Sequence, residues 1–282
     1  MAQTRLVLTG DEAGWVTRHP IIRYAPERDY GPFVYLDPQG QPAGLSIELL
    51  HLLAEQVPLR FEALPAQPLD DNLKLARQGR VDLLTSLRPT PERAAYLDFT
   101  SAYVAVPASV IIRANSDGPG ALAQLSGQRV AVGRGYAVEH FVRERYPAIR
   151  WQPVSNDEEG LRAVRSGEVA AMVADEGSFA FLQRRHGWSD LQLGRRVGFD
   201  YRLSFAYRKD WPELGRLLER ALRAIPPERK QSLLLRWLPT PPENRTWRET
   251  WGPTLLALGL IATGLVLLLP QWRRYLSVNH DV

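Results

Sequence analysis

The sequence predicts an α/β protein followed by one membrane-crossing helix, on three observations. Short apolar runs alternate with amphipathic helical stretches from residue 21 onward, the pattern of strands fed by helices. That scheme restarts after Leu125, and Ser166-Gly-Glu-Val-Ala-Ala-Met-Val-Ala-Asp175 mirrors Gln78-Gly-Arg-Val-Asp-Leu-Leu-Thr in arrangement. From Thr250 to Trp272, about 23 residues, no charge interrupts the chain, which exceeds the ~20 needed to cross a ~30 Å hydrocarbon layer. At 282 residues the chain suits one two-lobed domain or two compact ones.

The elements follow in order. Thr9 is placed to cap a short helix that sets Trp15 and Val16 against the body. Leu6-Val-Leu8 is too short for a signal peptide's apolar region, so export implies a targeting segment outside this sequence. Ile21–Ala25 reads as the first strand, and Pro26–Phe33 as a loop carrying Glu27, Tyr30 and Phe33. Asp37-Pro-Gln-Gly40 is a turn, and residues 44–55 form a helix with Ile47, Leu50 and Ala54 on one face. His51 belongs on that helix's surface. Leu59–Leu64 is a strand, Leu69–Gln78 a helix, and Val81–Leu84 a buried strand. Thr90-Pro91-Glu92-Arg93 then has a helix start's residues: a cap, a proline at the first turn and an acid near the positive dipole end. A strand, a hydroxyl-rich loop and a helix start make an anion site, with Arg93 offering two parallel bonds to a carboxylate. Spacing alone favours a plain strand–turn–helix with Arg93 in solvent.

Val104–Arg113 is β-branched and fits a long crossing strand, with a polar turn over 115–120. Arg129–Val132 is the next strand, running into Gly133-Arg-Gly135 and a helix from about Ala137. Glycines there let backbone N–H groups approach a ligand, but a third glycine and a downstream acid are missing for a dinucleotide fingerprint. Arg134 either adds an anion contact or points to solvent. Trp151–Val154 is a strand, Asn156 caps a helix, and Asp175 ends an apolar strand where it serves as the cap of the helix Gly177–Arg185, as a ligand group, or as both. Gly198–Tyr207 supplies returning strands. Leu214, Leu217, Leu218, Ala221 and Ile225 form a helical stripe that docks on the first half.

Composition limits the function. Apolar residues make up 45% and charged ones 23%, so the chain folds. The net charge of +4 comes from scattered arginines among acids, with no basic stripe, which argues against nucleic acid. There is no cysteine, and the five histidines form no ligand cluster, so no metal and no other cofactor is expected. Beyond the stiff Pro239-Thr-Pro-Pro linker, Trp251 and Trp272 flank the apolar stretch, and Arg273-Arg274 places its C-terminal side in the cytoplasm.

The run from Gly79-Arg-Val-Asp-Leu through Thr90-Pro-Glu-Arg93 to Asp98-Phe-Thr-Ser-Ala-Tyr103 resembles the signature of family 3 periplasmic solute-binding proteins, and the likeness extends from Pro20 to Leu238. The resemblance implies a two-lobed α/β Venus-flytrap (type II) fold and an amino acid or related carboxylate as ligand. It assigns the α-carboxylate to Arg93, the amino group to Asp175, and aromatic packing over the ligand to Tyr30. It implies that the loop at Gly135 completes the carboxylate site from the second lobe, and that Phe33 is structural. Arg134 and Tyr136 are bulky for that loop and either narrow the cleft or add an anion contact, and Ser86 and Arg88 are further candidate ligand residues. Ala170 departs from the family, which carries an aspartate there. The entry around Leu8–Trp15 and His19-Pro20 resembles, more narrowly, solute-binding domains that act as extracytoplasmic sensors of membrane-bound histidine kinases.

The expectation is therefore a periplasmic sensor domain with no catalytic residues, held in the inner membrane by one C-terminal span. Its parts are an entry segment (1–19), a first lobe (20–110 and 199–238), a second lobe (111–198), a linker (239–249), the transmembrane helix (250–272) and a cytoplasmic stub (273–282). A small-molecule ligand, the membrane and a second copy of the chain are the expected partners. A cytoplasmic output domain is expected beyond Val282, a dimeric histidine kinase in preference to a diguanylate cyclase. The alternatives are a transport-associated solute-binding protein and a cyclohexadienyl dehydratase-like enzyme, whose acid would be Glu27 or Glu176.

Overall fold

The computed structural model describes residues 5–116 and 120–238. The expected linker, membrane helix and stub lie outside the described residues. Among those described, no helix is long and apolar enough to cross a membrane.

Helix α1 (Gly10–Arg18) opens with a reciprocal cap: Thr9 Oγ1 accepts from Glu12 N, and the Glu12 carboxylate accepts from Thr9 N. Then come β1 (Ile21–Tyr24), the short β2 (Asp29–Tyr30), β3 (Val34–Leu36) and β4 (Pro42–Ala43), α2 (Leu45–Ala54), β5 (Arg60–Ala63), α3 (Leu69–Arg77), β6 (Leu83–Leu87), β7 (Leu97–Phe99) and β8 (Val104–Arg113). The scheme repeats with β9 (Arg129–Gly133), α4 (Ala137–Arg145), β10 (Arg150–Val154), α5 (Asp157–Ser166), β11 (Ala171–Asp175) and α6 (Glu176–His186). The chain returns through β12 (Leu191–Arg208) and ends in α7 (Pro212–Ala224) and α8 (Pro227–Trp237).

Two parallel blocks, β5-β1-β6 and β10-β9-β11, are joined by the antiparallel pair β8 and β12 in the order β10-β9-β11-β8-β12-β6-β1-β5. This is a two-lobed α/β architecture. In the first lobe Tyr24 pairs with Leu83, and in the second Met172 pairs with Ala131. Strands β6, β9 and β11 are buried on both faces, as parallel strands covered by helices must be. The stripe Leu214, Leu217, Leu218 and Ala221 of α7 is fully buried against α1, α2 and β12. One large apolar cluster extends from Phe33 and Leu50 in the first lobe through Tyr30, Tyr136 and Tyr201 to Val130 and Val138 in the second. The lobes therefore share a core.

Two expectations need correcting. Thr90–Arg93 does not begin an α-helix. Thr90 Oγ1 does accept from Arg93 N (3.3 Å), but only a single tight turn, Arg93–Ala95, follows. The chain is drawn at once into β7, where Leu97 pairs with Arg208 of β12. The return strand begins at Leu191, not Gly198. Its first half carries Arg195 and Arg196 on an exposed face, which reads as loop, yet it pairs with β8 from Leu191 opposite Arg113. Gly198 (φ +77°) sits in the register shift that bends this strand.

Candidate functional site: a cleft filled by its own side chains

The site lies where the ends of β1, β6, β9 and β11 converge, the carboxyl ends at which open α/β sheets place ligands. Arg93 is only 4% exposed. Its Nη1 donates to the Arg88 carbonyl and its Nη2 to the Gly135 carbonyl, both at 2.7 Å. The first bond holds its own loop, and the second reaches the loop that follows β9 in the other lobe.

Gly135 occupies the left-handed region (φ +74°), and a Cβ there would stand 2.2 Å from Asp70 Oδ1 on α3. Its N–H donates to the Glu139 carboxylate at 2.9 Å, so the carbonyl, not the amide, faces the cleft. Tyr136 follows. Its ring lies over Gly133, where a Cβ would meet Tyr136 Cδ2 at 2.5 Å, and packs 5.5 Å from Tyr30. Its hydroxyl donates to Glu27 Oε1 at 2.5 Å. Burial pushes the Glu27 carboxyl up to about 8, against the lowering influence of Tyr136 and Arg93. The same burial drives the Tyr136 phenol well up.

Behind Tyr30 lies a second buried polar group. Asp175, fully buried, caps α6 through a 2.7 Å bond from Ser178 N to its Oδ1. Its Oδ2, both carboxylate oxygens of Asp157, the Tyr30 hydroxyl and Ser178 Oγ are buried without hydrogen-bond partners. Tyr30 lies close enough to lower the Asp175 pKa, and Ser178 that of Asp157, though neither reaches bonding geometry. Burial prevails in both acids: Asp175 is raised to about 8, with the Asp157 charge adding to it, and Asp157 to about 6. Two buried acids facing two hydroxyls, with no cation paired to them among the described residues, suit an ammonium group or protons.

The remaining expected residues divide. Ser86 belongs to a hydroxyl chain, donating to Ser46 (2.7 Å), which bonds Tyr103 (2.6 Å). Arg88 lines the edge of the cleft, its guanidinium 3.9 Å over the Phe199 ring. Arg134 is exposed, its backbone N–H bonded to Val154 O (2.8 Å), and it lines none of the cavities described here. Glu176 is engaged by Arg196 and Ser109. Sequence reasoning missed Asp157 and Tyr201. Asp157 had a signal: Gly160, Leu161 and Val164 follow it at i+3, i+4 and i+7, placing it on the buried stripe of α5.

Two cavities remain in the cleft. One, of about 20 Å³, is lined by Glu27, Tyr30, Arg93 and Tyr136, and the other, of about 10 Å³, by Glu27, Asn72 and Thr85. Each holds roughly one water. A bound solute must displace Tyr136 or part the lobes.

The sequence model of bacterial extracellular solute-binding proteins, family 3, matches residues 22–240. The virulence sensor protein BvgS of Bordetella pertussis is 25% identical over 266 residues, 94% of this chain and 21% of BvgS. The sensor protein EvgS of Escherichia coli K12 is 25% identical over 278 residues, 96% of this chain and 23% of EvgS. The L-arginine-binding protein of Pseudomonas aeruginosa is 25% identical over 213 residues, 72% of this chain and 82% of that protein. The crystal structure of the B. pertussis BvgS periplasmic domain superposes with a TM-score of 0.77 at 24% identity, over 90% of this chain and 50% of that one. The chain thus spans about a fifth of the length of the two sensor proteins.

Proposed function

This chain belongs to the family 3 bacterial extracellular solute-binding proteins, and from that premise we propose that it is the periplasmic ligand-sensing domain of a membrane-bound signalling protein. The ligand is an amino acid or a related small carboxylate. Its carboxylate replaces the Gly135 and Arg88 carbonyls on Arg93, and its ammonium enters the Asp175, Asp157 and Tyr30 group. Ser86 and Gly135 line the path, and Tyr136 withdraws from Glu27 as the lobes part. The observation that carries this reading is the charge arrangement of the cleft: among the described residues, one buried guanidinium is held by carbonyls alone, and the buried acids are paired with no cation.

Binding shifts the balance between open and closed lobes only by its differential affinity for the two states. The stretch 250–272, read as a single inner-membrane span, would transmit that shift to a cytoplasmic histidine kinase in a dimer. The high coverage of this chain by the sensor proteins supports that output. Calorimetry with the twenty amino acids and small dicarboxylates tests the ligand assignment. For any ligand that binds the wild type, Arg93→Ala costs about 2–5 kcal/mol, because the partner charge is left buried. Equal affinity in that variant sinks the site.

A second reading has one observation in its favour. Glu27, buried and raised to about 8, is a poised acid of the kind a dehydratase on this fold needs. Turnover of prephenate, abolished by Glu27→Gln, would establish it, and absence of turnover removes it.

A further inference from the structure

The cleft is full, but the surface at its mouth is not. A groove of about 700 Å³ runs between the loop after β6 and helix α4, walled by Pro89, Pro91, Ala137, Phe141 and Phe199 with Arg88 at its head, and it meets the cleft at Arg93, Gly135 and Tyr136. That volume lies within the range of small-molecule sites. Two of its acids are paired, Glu92 with Arg77 and Glu139 with Arg143. The Arg93 guanidinium is occupied by carbonyls. Arg88 is different. It is half-buried, stacked on Phe199, and its Nη1 is buried with no hydrogen-bond partner. Among the described residues no carboxylate lies within ion-pairing distance of it, the nearest acid felt being Asp200.

An unanswered guanidinium over an aromatic face, opening onto an apolar trough, has a definite complement. We propose that this groove is a second binding site, at the mouth of the interlobe cleft and apart from the Arg93–Asp175 site, for a small organic monoanion with an apolar body. The anion takes two parallel bonds from Arg88, and the hydrocarbon lies along Phe199 and Phe141. The Arg88 carbonyl is held by Arg93 Nη1, so the loop presenting this cation is fixed while the lobes are closed. Dicarboxylates fit less well, since Glu92, Glu139 and Glu144 line the far side.

The test uses the full 282-residue chain with phenylacetate as probe, phenylacetamide as its uncharged match and phenethylamine as its cationic one. Calorimetry should show saturable phenylacetate binding, with the amide and the amine at least about tenfold weaker. Arg88→Gln should weaken phenylacetate by about tenfold or more, and Arg88→Lys, which keeps the charge without the fork, by less. Asp175→Asn, which alters the cleft and not the groove, should leave phenylacetate affinity unchanged. The inference is overturned if phenylacetate shows no saturable binding, if the amide binds equally well, or if Arg88→Gln binds as the wild type does. Sensitivity to Asp175→Asn without sensitivity to Arg88→Gln would place the probe in the cleft and overturn it too. Amino-acid binding in the cleft is read separately through Arg93→Ala, so either site can fail alone.

Discussion

Tyr136 and Glu27 meet in the middle of the cleft, one from each lobe, and their hydrogen bond is made with both groups buried. The phenol donates more strongly to an ionised carboxylate, but burial outweighs this and favours protonated Glu27 up to about pH 8. Asp175 and Asp157, raised to about 8 and about 6, act in the same direction. These acids bind more protons in the folded, closed form than when exposed. Their contribution is therefore full below their ordinary carboxylate range and is lost as pH rises through the raised values. The melting temperature should accordingly fall from about pH 5 to about pH 8 and then level off. Glu27→Gln, which keeps an acceptor for Tyr136 but cannot ionise, should flatten part of that fall. A melting temperature that climbs with pH over the same interval would contradict the protonated assignment. None of this was legible from the residues alone, since a glutamate in a loop gives no sign of burial. Asp157 was hidden by its neighbours: in Asn-Asp-Glu-Glu it reads as another dipole acid, and only the stripe behind it marks it as inward.

At the scale of elements, signals carried by neighbouring residues were readable and those set by distant pairing were not. Thr9, Asn156 and Asp175 each cap the helix that follows, because a cap is decided within four residues. The strand Val104–Arg113 was equally plain from its β-branched run. The charged first half of β12 became a strand because β8 lies beside it, and the turn at Arg93–Ala95 stayed short because β7 claims the next residues. Of the candidate site, Arg93, Tyr136 and Asp175 are legible and do surround the cleft, whereas the stacking of the Arg88 guanidinium depends on Phe199, over a hundred residues away. The loop between β9 and α4 carries its own prediction. Gly135 needs positive φ and has Asp70 where a Cβ would go. Gly135→Ala should therefore cost about 1–3 kcal/mol. Denaturant unfolding would register this as a lower midpoint at unchanged slope. No shift in midpoint would mean that the loop relaxes away from both Asp70 and Arg93.

At the scale of the molecule, the lobes are held together by groups a ligand would also use. Arg93 reaches the Gly135 carbonyl, Tyr136 reaches Glu27, and Gly31 lies so near the Phe181 ring that a Cβ would stand 2.2 Å from it. On the proposed function, the domain rests closed and opens to admit a solute, so self-contacts and ligand contacts compete for one cleft. The absence of cysteine makes this measurable without background. Gln39 and Gln128, exposed on the first and second lobes, can be changed to cysteine and spin-labelled, and the distance between them followed by pulsed electron resonance. The ligand-free wild type should give one narrow, short distribution, and Tyr136→Ala, which empties the cleft, a longer and broader one that the bound amino acid narrows again. The same narrow distribution in the wild type and in Tyr136→Ala, with and without amino acid, would contradict the account.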